Sequence, residues 1–456
     1  MTPILRSITI FVLIGGPLAA TAAVTADEAR LLGTTLTPWG AEKAGNQEGT
    51  IPAYTDGYVK PPAAFDPRNP RSRPDPFAGE KPLYNVTASN MAQHAAKLSD
   101  GAKALLQRYP HFRMDVYPTH RTQRYPAYVN ERSLRNATSC RSIQDGLVLE
   151  GCYGGVPFPI PKTGNEVMWN HNTRYQSPSY VANFRNIMID AGGDLNVEAD
   201  LEIWQEYPSF YPDNNAVLMP ADPYWMVHVD WIGPARRVGE KLVLVDYMDP
   251  VRNRRKVWQY LPGQRRVKLT PEVAYDTPNP ASGGTAVMDE ATVFNGGLDR
   301  FDFKLIGKRE MLIPYNAFNF FDEAACPESK RYSKGYPAPD CLRWELHRVW
   351  EVEATLKAGS RHVYTKRKFY FDEDQPEVGA SDNYDAAGKL YRAVFGLYFP
   401  FYETTDQGFG DGTITIDFQT GAYLVQADYA RGYFQPAKRQ PARFFTGDAL
   451  AAEGLR

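Results

Sequence analysis

Through the middle and end of the chain, apolar and polar residues alternate with a period of two. Val197, Ala199, Leu201, Ile203 and Tyr207 alternate with Glu198, Asp200, Glu202, Trp204 and Glu206. Trp225, Val227, Val229 and Trp231 alternate with Met226, His228 and Asp230, and Phe301, Phe303 and Leu305 with Arg300, Asp302 and Lys304. Leu342, Trp344, Leu346, Trp350, Val352, Ala354 and Leu356 alternate with Arg343, Glu345, His347, Glu351 and Glu353. That period places one set on a dry face and the other on a wet face of antiparallel strands. Several runs exceed the usual strand length of about five or six residues. Gly239-Glu240, Pro262-Gly263-Gln264 and Thr420-Gly421 are turn signals between them. Long strands joined by short turns predict a mainly β protein with a few helices. Its large antiparallel sheet curls into an open half-barrel.

Helical spacing is rarer. Met91, Ala95, Leu98, Ala102 and Leu105 recur at helical intervals, which predicts one helix over 90–107, capped by Asn90 and ended by Pro110. Two further helices are predicted over 166–175 and 286–294, of a size to plug or lid the concave side of the sheet. From Ala23 to about Asn85, Pro and Gly recur too densely for long helices or central strands. Trp39, Ile51, Tyr54 and Tyr58 give this stretch apolar anchors, so an extended arm over the main body is expected rather than a free tail.

The first residues read differently. Arg6 precedes the apolar run Ile8–Ile14, and Ala20-Thr21-Ala22 fits the small-x-small cleavage pattern of a secretory signal peptide. The run is too short to span a bilayer, which takes about 20 apolar residues. No cysteine lies near the cut, so a lipoprotein anchor is not expected. The expected organisation is a signal peptide over 1–22, an arm plus helix over 23–110, and a half-barrel domain over 111–456. The expected location is the periplasm.

Composition narrows the function. Lys and Arg number 51 against 53 Asp and Glu, with no basic stripe, so nucleic acid is a poor partner. Aromatic residues make up 13%, a content that suits strands and greasy pockets alike. The cysteines are Cys140, Cys152, Cys326 and Cys341; an even count in an exported chain predicts disulfides, with local pairing preferred among three connectivities.

Motifs for chemistry are scarce. The chain has no nucleophile elbow, zinc helix, Walker loop, dinucleotide fingerprint or EF-hand loop. No catalytic residue, metal or cofactor is expected. His228 and His347 fall on wet sides of strands and read as solvated; Asp372-Glu373-Asp374 reads as a solvated turn, and Asp406, Asp411 and Asp417 as part of a glycine-rich hairpin connection. One polar-aromatic cluster stands out on the second predicted helix: Glu166, Trp169, Asn170, His171 and Arg174. Spacings of three and four bring Glu166, Asn170 and Arg174 onto one face. Without a nucleophile nearby, polar seating of the helix on the sheet is the simpler account.

Several stretches together resemble a known family. They are Leu36–Asn46, Gly49–Ala53, Phe112–Thr122, Gly154–Pro161, Trp169–His171, Trp258–Val267 and Ile313–Asn316. The family comprises exported bacterial proteins of about this length, common in pseudomonads, with no settled activity. Its second half is similar to the LolA/LolB-like outer-membrane lipoprotein-sorting fold, an open half-barrel that holds acyl chains on its concave face. Phe369–Asp374, Tyr384-Asp385 and Gly388–Leu390 also resemble that fold. Gln375-Pro376 departs from the Ser/Thr-Trp pair expected there, and the four cysteines are not part of the pattern. The resemblance implies work at the cell envelope, beside an inner-membrane exporter of the resistance-nodulation-division (RND) type and an outer-membrane protein.

The expected function is a periplasmic carrier for a lipid-like small molecule. The alternatives are an envelope hydrolase acting on lipids or polyesters, and an outer-membrane β-barrel. The residues expected to line the ligand cavity are Leu201, Ile203, Trp225, Val227, Val229, Trp344, Leu346 and Trp350.

Overall fold

The computed structural model describes residues 24–69, 72–270, 273, 275–404 and 408–454. The N-terminal apolar run with its cleavage pattern, and Asp406, lie outside the described residues. In chain order the strands are Tyr84–Val86 (β1), Met114–Val116 (β2), Arg141–Ile143 (β3), Val148–Glu150 (β4), Ser179–Ile189 (β5), Leu195–Glu206 (β6), Pro223–Gly233 (β7), Lys241–Tyr247 (β8), Lys256–Leu261 (β9) and Arg266–Leu269 (β10). They continue with Phe301–Pro314 (β11), Tyr332–Ser333 (β12), Tyr336–Pro337 (β13), Trp344–Leu356 (β14), Lys366–Asp372 (β15), Gly379–Tyr384 (β16), Leu390–Pro400 (β17), Phe409–Asp417 (β18) and Tyr423–Pro436 (β19). β3–β4 and β12–β13 are separate small hairpins; the other strands form one sheet of 15.

The sheet is two meanders joined at a seam. β5 to β10 follow one another, as do β14 to β19, and β19 pairs antiparallel with β5 to unite them. The seam carries register shifts around Asp428, where β19 bulges. At Gly432 a Cβ would lie 1.8 Å from the carbonyl oxygen of Asn183, so only glycine fits this approach. β11 pairs along most of β14 at the far edge, and β10 forms the opposite edge. Among the described residues the two ends do not pair, so the sheet is an open curved surface and not a membrane barrel, which must close to satisfy its backbone. Exposed Asp302 and Lys304 on β11, and Arg266 and Lys268 on β10, discourage edge pairing with another chain.

The predicted alternation holds where one face meets the polar side. On β6, Ala199, Leu201 and Ile203 are buried between half-exposed neighbours. It fails on β14 and β17, where consecutive residues are buried. The helix Asp100–Arg108 packs on one face there, bringing Gly101 against Ala393 and Asp382. On the other face the helix Gly164–Asn172 joins Phe369, Phe371 and Val394 in one cluster. His347 and His228 are therefore buried rather than solvated, as is the whole of Asp372-Glu373-Asp374.

The helices also differ from expectation. The stretch over 90–107 is two pieces: Met91–His94 with a short 3₁₀ turn, then Asp100–Arg108. Ser99 breaks it, because its hydroxyl accepts from the Ala102 N–H and starts a new helix. Asn90 instead accepts from the Thr87 N–H, outside any helix. The stretch over 286–294 contains only the 3₁₀ turn Met288–Glu290. The arm is held by buried Trp39 and Ile51, and Tyr54 donates to the Gln123 carbonyl at 3.1 Å; Tyr58 is exposed. Both disulfides are local, Cys140–Cys152 and Cys326–Cys341.

Candidate functional site

The concave side of β5–β8 does not fill. Leu201, Ile203, Trp225, Val227 and Val229 line a single cavity of about 180 Å³ there. Strand register assembles it: Leu201 lies opposite Trp231, Ile203 opposite Val229, and Val229 in turn opposite Leu242. Same-face neighbours on adjacent strands thus form rows of aliphatic and indole surface. Phe184 of β5 and Leu244 of β8 extend the wall.

Trp344, Leu346 and Trp350 are elsewhere. Trp344 and Leu346 are buried in the packed core of the other meander, with Trp344 edge-on to Phe395 at 5.5 Å. Trp350 is half-buried, and the Lys308 ammonium sits 4.7 Å from its ring centroid. The same alternation marked all eight. What separates them is which stretch of sheet the helices cover, and that is not written in the strands themselves.

A strap roofs the cavity. Ala281, Met288, Thr292 and Asn295 contribute to its lining. Thr292 and Val293 both adopt left-handed backbone, with φ of 52° and 69°. For β-branched residues this costs roughly 1–2 kcal/mol each. Phe294 anchors the strap: its ring packs edge-on to Phe369 at 5.4 Å, and its carbonyl lies 2.7 Å from His171 Nε2.

The polar cluster of the plug helix has split roles. Thr163 and Glu166 form a capping box at its start. Trp169 Nε1 donates to the Gly146 carbonyl at 2.8 Å, and Asn170 clamps Phe158 through both its N–H and its carbonyl. His171 Nδ1 lies 2.7 Å from the Pro376 carbonyl. These four seat the helix. Arg174 alone reaches the cavity, because the helix ends at Asn172 and Arg174 does not share a helical face with Glu166 and Asn170. Its guanidinium pairs with Glu377 and donates to the His171 carbonyl at 3.0 Å.

Among the cavity residues that the sequence did not single out for it, two are coupled to each other. Asp411 of β18 and Tyr429 of β19 both line it. Asp411 sits within a strand, between Gly410 and Gly412, not in a hairpin connection. Its Oδ1 accepts from the Tyr429 hydroxyl at 3.2 Å. Burial pushes its carboxyl up to about 6, with the nearby charge of Arg174 opposing. The alternating glycines that read as a turn hid it.

A second constellation is buried on the other meander. The ligand-type atoms of His347, Asp372 and Asp374 lie within 4.8 Å of one another. Their charges are answered by the chain itself. Arg121 grips Asp374 through two hydrogen bonds of 2.6 and 2.7 Å, and Arg343 pairs with Glu345. His347 lies 3.2 Å from Glu345 and 3.1 Å from Asp372. Burial alone would lower His347, but Asp372 and Glu345 outweigh it and hold the ring up at about 9. Burial raises Glu345 in the same way, and His347 and Arg343 overcome it, holding it at about 2. This is a paired ionic core that ties the segment His120–Gln123, just after β2, to β14 and to the turn that follows β15.

The fold and the cavity define a class: a mainly β protein whose open sheet, antiparallel except where β2 runs parallel to β14, is plugged by helices and shelters an apolar chamber. Among the described residues no helix is long and apolar enough to cross a membrane. The chain belongs to the family described as "Protein of unknown function (DUF1329)", whose pattern matches residues 85–451. It is 38% identical over 411 residues to "Uncharacterized protein PA3922" of Pseudomonas aeruginosa, covering 89% of this chain and 88% of that protein. Among solved structures, it is similar to a DUF1329 family protein from Desulfovibrio piger at 14% identity. The TM-score is 0.40, with 61% of this chain and 93% of that one covered. A putative outer membrane lipoprotein-sorting protein domain from Vibrio parahaemolyticus matches at 12% identity and a TM-score of 0.41, covering 63% and 97%. A LolA superfamily protein from Nitrosomonas europaea matches at 10% identity and a TM-score of 0.36, covering 63% and 99%.

Proposed function

We propose that the cavity under β5–β8 holds the apolar part of a lipid-like ligand, and that the protein is a periplasmic carrier without chemistry of its own. One observation carries this reading: a chamber of about 180 Å³ walled by the side chains of Leu201, Ile203, Trp225, Val227 and Val229 on one side of the sheet. An apolar cavity of roughly 150 Å³ is enough to hold a benzene. The site therefore takes a ring or a short stretch of acyl chain rather than a whole phospholipid. Each methylene moved out of water contributes about 0.8 kcal/mol. Transfer of the ligand between an RND-type inner-membrane transporter and an outer-membrane protein is the finer form of this reading, and it rests on the sequence resemblance.

The test is mass spectrometry of small molecules that co-purify with the protein from its native periplasm. A carrier retains a lipid-like species at near-stoichiometric amounts. Trp225→Glu, which places a charge in the wall, is expected to abolish that retention while the protein still folds and accumulates. Retention unchanged in the folded variant removes the cavity from the function.

A further inference from the structure

The cavity has a polar end as well as an oily one. Leu201, Ile203, Val229 and Leu242 make the apolar part, and Arg174 and Asp411 lie among its charged lining. Most of the other polar groups there are already engaged. Gln205 Oε1 accepts from the Tyr207 hydroxyl at 3.2 Å and from Trp225 Nε1. Asn186 donates to the Ala281 carbonyl at 2.9 Å and accepts from the Ala427 N–H at 3.0 Å. The charge of Arg174 is met by Glu377. Asp411 differs. Among the described residues its carboxylate accepts from one other residue, the Tyr429 hydroxyl on Oδ1, beside its own backbone N–H. Asp411 is half-buried, and neither of its carboxylate oxygens is among the buried atoms left without a partner, so the carboxylate stays open to a donor from a ligand.

Resting on the carrier reading above, we propose that Asp411 reads the polar end of the ligand and selects an amphiphile headed by a hydroxyl over one headed by a carboxylate. The carboxylate of Asp411 accepts the hydroxyl proton as a charge-assisted hydrogen bond. A carboxylate head meets a like charge there, and Arg174 offers little compensation because Glu377 already holds it. The selection is thus both attractive and repulsive, as discrimination between close analogues requires. The raised titration of the Asp411 carboxyl agrees with an apolar setting that lacks a dedicated cation. Tyr207 and Tyr180 also lie within electrostatic reach of Asp411, both as neutral phenols raised by burial.

Trp225 and Trp231 line the chamber and report its occupancy by their fluorescence. The full chain is titrated at about pH 8, where Asp411 is ionised, with 1-octanol, methyl octanoate and octanoate. These share a chain and differ in offering a donor, an acceptor alone or a negative charge. The wild type is expected to bind 1-octanol about tenfold more tightly than methyl octanoate, and octanoate least. Asp411→Ala should abolish the preference for 1-octanol over the ester. Asp411→Asn, closest in shape and the variant to rely on if the alanine form does not fold, should admit octanoate. If the wild type binds all three alike, or the Asp411 variants shift all three equally, the headgroup assignment falls and the carrier reading stands. If no probe changes the fluorescence of the wild type, the carrier reading itself falls.

Discussion

His347 stands at a position its strand marked as wet, yet it is buried between two carboxylates with Tyr315 stacked 3.9 Å away. Its folded value of about 9 lies above that of an unfolded histidine. A raised value contributes stability that is complete below about pH 6.5 and is lost as pH climbs through 9. The size is on the order of 3 kcal/mol. Urea unfolding followed from neutral to alkaline pH should therefore show a decline across that window, and His347→Gln should flatten it. An unchanged slope in the variant would remove His347 as the titrating group. Nothing in the spacing of Leu342–Leu356 distinguishes this histidine from a solvated one. The information lies in Arg121, Asp372 and Asp374, far away in the chain, and pairing at that range has no local signature.

At the scale of elements, the strands were legible and the helices only partly so. Alternation over Val197–Tyr207 and Trp225–Trp231 marks β6 and β7 because one face meets the chamber and the other does not. Ser99 followed by Asp100 is a helix start that competes with the longer apolar stripe running through Leu98, and capping wins locally. The stretch from Ala286 to Phe294 has helical spacing, but its apolar residues are pulled apart. Val293 and Phe294 enter the core under the plug helix, whereas Met288 faces the chamber. Cys140–Cys152 ties the end of the helix Ala127–Ser139 to the hairpin β3–β4, closing a loop with a separation of 12 residues. Loop closure of this length is worth about 3 kcal/mol. Replacing both cysteines with serine should lower unfolding free energy by about that much in denaturant titrations. A variant as stable as the parent would show that the hairpin packs without the crosslink.

At the scale of the whole molecule, the curved open sheet follows from the strand pattern, but the location of empty space does not. Five of the eight expected wall residues meet in one chamber, while Trp344 and Leu346 are buried in packed core and Trp350 stands half-buried outside it. The chamber is room that the chain leaves unfilled, so occupying it with a side chain separates binding from folding. Val229→Phe is expected to keep or raise the melting temperature, since it replaces void with contacts, and to abolish ligand retention. Melting depressed by several degrees would mean that the site is too tight for the added ring.

The seam between β19 and β5 has a consequence for how the molecule is made. The strand that completes the edge of β5 is β19, which follows every other strand of the sheet in the chain. Until it forms, the first meander presents an unpaired backbone edge to whatever surrounds it. Its final shape waits on a contact between distant parts of the sequence, a topology that folds slowly. Without β19 that border has no strand to pair with, and truncation before Tyr423 is expected to leave two half-sheets without the strand that joins them.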